Sequence, residues 1–143
     1  MINKELVAGK LSDMEGYYNE MSELLLEDAR VILKNTVKLR AVERLFQLIV
    51  DTSIDINTHI IAESEFHLED DYKSTFLTLG EHNILPIDFA RKIAPSVGLR
   101  NLVVHKYGKV DLVLMIEQIK SEMSNYKEYI KQIHDFLNLT ENE

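Results

Sequence analysis

The chain has 143 residues, which is enough for one domain with one hydrophobic core and too few for two domains of ordinary size. It contains no cysteine, so disulfides, thiolate chemistry and cysteine-bound zinc are excluded, and a cytoplasmic location is expected. A net charge of −8 argues against broad binding to nucleic acid, although residues 84–110 carry +4 and leave −12 for the rest. One interpretation of this basic segment is a local site that binds a phosphate ligand. The alternative is a chance cluster of solvated lysines.

The patterning of the chain predicts an all-α protein that does not associate with membranes. No segment approaches the ~18 apolar residues of a membrane span, and the first residues lack the apolar core of a signal peptide. Glycine and proline are scarce, and β-branched residues fall at helical rather than alternating spacing.

Two long helices are predicted in the first half of the chain. Asn3 is suited to cap a helix over about residues 4–26, along which apolar residues recur at steps of three and four. Residues 27–35 are expected to form a loop with about one helical turn. A second helix is predicted over about residues 36–62, and its inner face is formed by apolar residues: Val42, Leu45, Phe46, Ile49, Ile56 and Ile60.

A shorter third helix is predicted over residues 72–82, after an acidic segment without periodicity. Asp70 or Asp71 can cap it, because a carboxylate accepts hydrogen bonds from the first backbone N–H groups of a helix. The spacing of its large apolar residues predicts that three side chains are buried: Tyr72, Phe76 and Leu79.

Two prolines and a regular apolar stripe organise the last third of the chain. Pro86 is suited to the first position of a helix, whereas Pro95 must break or kink that helix because it has no N–H to donate. A final helix is predicted over about residues 111–139, and it is expected to pack along another long helix. Its stripe alternates steps of four and three: Leu112, Ile116, Ile119, Met123, Tyr126, Ile130, Ile133 and Leu137.

These elements predict one domain over residues 1–143, an up-and-down bundle of four or five helices with a polar tail at residues 140–143. The apolar surface is generous for so small a bundle, so we expect a second copy to cover part of it in a two-fold homodimer.

Polar residues interrupt the C-terminal half of the second predicted helix. Asp55 and His59 are four residues apart and therefore neighbours on one face. Two ligands without a third make a poor metal site, so we expect no metal here. Solvated polar residues are the favoured interpretation, and a share in a polar cleft is the alternative.

The stretch from Leu99 to Gly108 carries the strongest chemical character. His105 is predicted to lie in the last turn of a helix that ends at Gly108, where the helix dipole favours positive charge. Arg100 lies about 7.5 Å away along the axis and roughly 140° around it, and Asn101 shares a face with His105. A permanent cation beside a titratable imidazole is a plausible pair for handling phosphate, although an ordinary helix with solvated polar residues is the alternative.

At these residues, Arg100-Asn101 followed by His105-Lys106-Tyr107, the chain resembles the HEPN-domain proteins, and most of all their HepT-like toxin branch. The resemblance covers nearly the whole chain. Its wider context is the run Arg40-Ala41-Val42-Glu43-Arg44-Leu45, the segment Tyr72…Phe76…Leu79-Gly80, the helix led by Pro86, and Gly98.

This resemblance implies a HEPN-like homodimeric bundle in which two motifs face a shared cleft. It implies a toxin that is a metal-independent endoribonuclease without a cofactor, and a partner that is a nucleotidyltransferase antitoxin of the MNT type. That antitoxin would silence the toxin by transferring AMP to Tyr107. In RNA cleavage by 2′-hydroxyl attack, His105 would be the acid or base and Arg100 the phosphate clamp. Asn101 would orient the substrate, and Lys106 is a further candidate for the cleft, with Asp55 and His59.

Two other functions use the same residues differently. A dimeric module could hold a nucleotide or RNA phosphate on Arg100 without cutting it, and such a module would not need His105 to titrate near neutral pH. A purely structural partner of a nucleotidyltransferase would be indifferent to changes at both residues.

Overall fold

The computed structural model describes the backbone of residues 1–106 and 108–141, and the side chains as far as residue 139. Throughout these residues the only regular elements are α-helices, as the sequence predicts. There are seven of them: α1 (Lys4–Leu24), α2 (Ala29–Lys34), α3 (Thr36–Glu63), α4 (Lys73–Glu81), α5 (Ile87–Ile93), α6 (Ser96–His105) and α7 (Leu112–Glu141).

The number of helices exceeds the predicted four or five for two local reasons. The predicted loop over residues 27–35 contains the six-residue helix α2, which Asp28 caps and which buries Ile32 completely. Pro95 separates α5 from α6. Proline has no N–H to continue the hydrogen bonds of α5, and its ring clashes with the backbone of the preceding turn. Pro86 lies one residue before the first residue of α5, with extended backbone (ψ 135°).

The core lies where the long helices α1, α3 and α7 pack together. Asn3 caps α1 as predicted, since its Oδ1 accepts the N–H of Leu6 at 3.0 Å. All six predicted inner-face residues of α3 are buried, and so is the predicted stripe of α7 apart from the half-buried Leu112. This confirms the 3.5-residue repeat as the packing seam of a long helix.

A buried polar chain links three helices through this core. The hydroxyl of Tyr129 on α7 donates to Asn57 Oδ1 on α3 at 2.6 Å, and Asn57 Nδ2 donates to Thr75 Oγ1 on α4 at 3.1 Å. All three residues are buried. Because each polar group finds a partner, the chain specifies how these helices meet without leaving an unsatisfied group in the interior.

Tyr72 was expected to be buried, and this expectation is wrong: it is 60% exposed. Helix α4 begins one residue later, and Asp71 provides the cap by accepting the N–H of Ser74 at 2.8 Å. Tyr72 therefore lies before the first residue of α4, and its side chain is not part of the buried face of that helix. Phe76 and Leu79 are fully buried, as expected.

Helix α6 also ends earlier than predicted. Its last residue is His105, and the next residue, Lys106, is left-handed (φ 47°, ψ 50°). Gly108, where the helix was predicted to end, is also left-handed (φ 69°) but lies beyond the helix. At the other end of α6 the Ser96 hydroxyl lies 2.6 Å from the hydroxyl of Tyr126 on α7. Both residues are fully buried, so the start of α6 is anchored in the core. Across the described ranges, no helix combines the length and the apolar character that crossing a bilayer requires.

Candidate functional site on helix α6

Arg100 is held by a carboxylate of another helix. Its Nε donates to Asp51 Oδ1 at 2.8 Å and its Nη2 donates to Asp51 Oδ2 at 3.2 Å. The side chain of Arg100 is only 18% exposed and that of Asp51 is 37% exposed. Two parallel N–H···O bonds match the planar guanidinium to the planar carboxylate, so they fix the orientation of Arg100 as well as its position.

Asn101 takes up a third N–H group of the same guanidinium. Arg100 Nη1 donates to Asn101 Oδ1 at 3.2 Å, and Asn101 is exposed. Arginine carries five N–H donors. The three bonds to Asp51 and Asn101 therefore leave two N–H groups of a pre-oriented guanidinium for a further acceptor.

His105 lies in the last turn of α6, as predicted, and its side chain is exposed. Five residues separate it from Arg100, which corresponds to about 7.5 Å along the axis and about 140° around it. The two groups therefore leave α6 in different directions. Tyr107, the predicted modification site, lies outside the described residues.

Arg100 lines a cleft of about 740 Å³ between α1 and the second half of α3. Asp55 and His59 lie in the wall of this cleft. Asp55 Oδ2 is 3.7 Å from Lys10 Nζ, and His59 Nε2 accepts the backbone N–H of Asn3 at 3.0 Å. Each is thus partnered by α1 or its cap. Within the described part of the chain, no three His, Asp or Glu side chains are grouped so that they could hold a metal ion.

Lys106 lies apart from that cleft. It forms an ion pair with the buried Glu43 of α3 and lines a separate shallow groove with Arg40, Gln47 and Val103. Asp55 and His59 therefore share a cleft with Arg100, whereas Lys106 does not.

Two acidic residues at the site, Asp51 and Glu43, were missed as functional candidates in the sequence. Asp51 was visible only as one of several polar residues in the second half of α3. Glu43 gave a clearer signal, because it occupies the inner face between Leu39 and Phe46, where an apolar residue is expected. A charge in that register indicates a cation on a neighbouring helix, but the pattern does not say which one.

A scan of protein families matches residues 14–133 to the family described as Ribonuclease HepT-like. The match spans most of the chain and includes α3 and the whole of α6.

The chain belongs to the HepT-like family.

Curated relatives of this HepT-like chain are nucleases by name. A tRNA nuclease HepT from Aphanizomenon flos-aquae is 38% identical over 101 residues, which are 71% of this chain and 69% of the relative. An mRNA nuclease HepT from Shewanella oneidensis is 23% identical over 83 residues, which are 58% of this chain and 62% of the relative.

Solved structures confirm the HEPN-like fold. A tri-AMPylated HEPN toxin from Shewanella oneidensis, in complex with an MNT antitoxin, superposes with a TM-score of 0.82 over 94% of this chain and 99% of that one, at 17% identity. A cytosolic protein of unknown function from Bacillus subtilis superposes with a TM-score of 0.74 at 15% identity, over 93% of this chain and 92% of that one. The resemblance recognised in the motif thus extends to the whole helical arrangement.

Proposed function

We propose that this HepT-like chain is the toxin of a toxin–antitoxin pair and acts as a metal-independent endoribonuclease. The observation that carries the proposal is the pre-oriented Arg100, held by Asp51 at the edge of a cleft and followed on the same helix by the exposed His105. The relatives named as tRNA and mRNA nucleases support RNA as the substrate class.

The proposed reaction uses the RNA as its own nucleophile. The 2′-hydroxyl attacks the adjacent phosphorus, the bond to the 5′ oxygen breaks, and a 2′,3′-cyclic phosphate and a 5′-hydroxyl form. A base must take the proton of the 2′-hydroxyl and an acid must give one to the leaving oxygen, which imidazole can do near neutral pH. The remaining N–H groups of Arg100 bind the non-bridging oxygens, where charge increases in the transition state. Asn101 orients the substrate beside it.

A homodimer would supply both of the imidazole groups that the proposed reaction needs. One His105 per protomer cannot be both the acid and the base in a single step, whereas two protomers around one cleft bring two. The outer face of α6 supports such an arrangement, since Pro95, Gly98, Leu99 and Leu102 line a groove against α7. Sedimentation velocity checks this: we expect a dimer at the concentrations used for activity, and a fully active monomer would contradict it.

Cleavage of RNA by the purified protein in EDTA tests the enzyme. We expect His105→Ala to lower the rate by about 10²–10⁴-fold and Arg100→Ala by about 10²–10³-fold. His67→Ala is the matched control, because His67 is exposed and lies far from α6 along the chain. Undiminished cleavage by His105→Ala refutes the assignment. RNA binding without cleavage by the unmodified protein would favour the non-catalytic binding module instead.

We propose an MNT-type nucleotidyltransferase as the antitoxin and Tyr107 as the residue that receives AMP. The AMPylated toxin of Shewanella oneidensis in its complex with MNT supports this choice of partner and modification. AMP on Tyr107 would place a phosphate two residues from His105, which blocks the site by bulk and charge. Intact mass after incubation with the antitoxin and ATP tests this. We expect Tyr107→Phe to lose AMP and Tyr17→Phe to keep it; unchanged labelling of Tyr107→Phe refutes the site.

A further inference from the structure

We propose that Glu43 is a positioning residue that holds His105 in place through Lys106, which presupposes the ribonuclease function proposed above. Asp51 holds Arg100 directly at the other end of the motif. Helix α3 would then set the separation between the two groups that act on the phosphate.

Glu43 is a buried charge with two cationic partners. Only 8% of the residue is exposed, and its Oε1 accepts from Arg40 Nη1 at 2.6 Å. Its Oε2 forms the ion pair with Lys106 Nζ. A buried carboxylate is retained only when its charge is compensated, so the position of Lys106 is strongly constrained by this contact.

Lys106 is the residue at which α6 stops. It adopts the left-handed conformation, which is unfavourable for a side chain with a Cβ and is usually left to glycine. The ion pair to Glu43 gives a physical reason for a lysine at this place. Because His105 is joined to Lys106 by a single peptide bond, a tether on Lys106 also limits where the imidazole can lie.

The two carboxylates lie on one ridge of α3. Glu43, Gln47 and Asp51 follow one another at intervals of four residues, the spacing of a helix surface ridge. Because Glu43 pairs with Lys106 and Asp51 pairs with Arg100, α6 runs antiparallel to α3, with Val103 buried between the pairs. The anchors are about 12 Å apart along α3. A rigid ridge with an acid at each end can therefore hold the middle of α6, at Arg100, and its C-terminal end, at Lys106, in register.

A purely structural role for Glu43 makes a different prediction. An ion pair that only stabilises the fold would change the melting temperature and leave the rate of the folded enzyme unaltered. A positioning role predicts a loss in kcat with little change in KM, because substrate binding at Arg100 remains while the imidazole is misplaced. Displacement of a catalytic group by about 1 Å can cost on the order of 10²-fold in rate.

The experiment compares Glu43→Gln and Lys106→Met with Lys106→Arg and Glu27→Gln. Glu27 forms a similar half-buried ion pair with Lys38, away from α6, so it is the matched control. We expect kcat to fall by about 10²-fold in Glu43→Gln and Lys106→Met at nearly constant KM. Lys106→Arg should retain most of the rate, since it keeps the cation, and Glu27→Gln should match the unsubstituted protein. If Glu43→Gln does not fold, Lys106→Met tests the same ion pair from its other side, because Lys106 is only half-buried.

The ring signals of His105 in a ¹H–¹³C NMR spectrum provide a readout that does not depend on RNA cleavage. We expect them to shift or broaden in Glu43→Gln and Lys106→Met, while those of His67 and His134 stay in place. Unchanged His105 signals and unchanged kcat in both variants overturn the proposal. If the unsubstituted protein cuts no RNA, the ribonuclease function fails, and the His105 signals alone still decide whether Glu43 positions the imidazole.

Discussion

Replacing Gly80 with alanine tests the close contact between α4 and α5. Gly80 lies near the end of α4 and is buried against α5. A Cβ at this position would lie 2.6 Å from Ala90 Cβ and 2.9 Å from Ile87 Cδ1. Carbon atoms in contact prefer about 3.5–4.0 Å, so the two helices would have to separate by about 1 Å. Ile87 can move the end of its side chain, whereas Ala90 can yield only by moving its backbone.

The expected cost follows from two opposing contributions. Overpacking a close contact costs about 1–3 kcal/mol, and alanine regains about 0.5–1 kcal/mol over glycine inside a helix. We therefore expect Gly80→Ala to lower the free energy of unfolding by about 1–2 kcal/mol. For a chain of this length the entropy of unfolding is about 0.3 kcal/mol per kelvin, which converts that loss into a fall in Tm of about 3–7 °C.

Thermal unfolding followed by circular dichroism measures this change. Gly9→Ala is the matched control, because it also lies within a helix but its new Cβ would have no neighbour within 4 Å. We expect Gly9→Ala to raise Tm by about 2–3 °C. If Gly80→Ala is as stable as Gly9→Ala, the close approach of α4 and α5 is not what requires glycine, and the reasoning fails.

Three further predictions concern the helix ends and the polar core. Glu65 is exposed and left-handed (φ 57°) after α3, so Glu65→Gly should raise the free energy of unfolding by about 0.5–1 kcal/mol, as urea titration will show. Tyr129→Phe should cost about 1–3 kcal/mol in the same assay, because Asn57 Oδ1 loses its buried donor. Hydrogen bonds from the hydroxyl and N–H of Ser74 lower the pKa of Asp71. This cap therefore stabilises α4 above the pKa of the unfolded carboxyl and is lost as pH falls through the lowered value. Ser74→Ala should raise the pKa of Asp71, measured by the ¹³C shift of its carboxyl group.

Local pattern was sufficient to predict most of the helices. The spacing of apolar residues depends on a repeat of a few positions, so both ends of α1, α3 and α7 could be placed within two residues of their observed positions. The break at Pro95 and the place of His105 in the last turn of α6 followed from single residues. The motif from Arg100 to Tyr107 was sufficient to predict the family, because the motif is local too.

What the sequence by itself could not determine is which distant groups meet. Asp51 lies 49 residues before Arg100, and only the crossing of α3 with α6 makes it the partner of that guanidinium. The same crossing pairs Glu43 with Lys106, the residue that follows the end of α6. It also separates Lys106 from the cleft that Arg100 shares with His59. Periodicity reports which face of a helix is buried, whereas an ion pair requires the angle and register at which two helices cross, and these are set by the packing of the whole core.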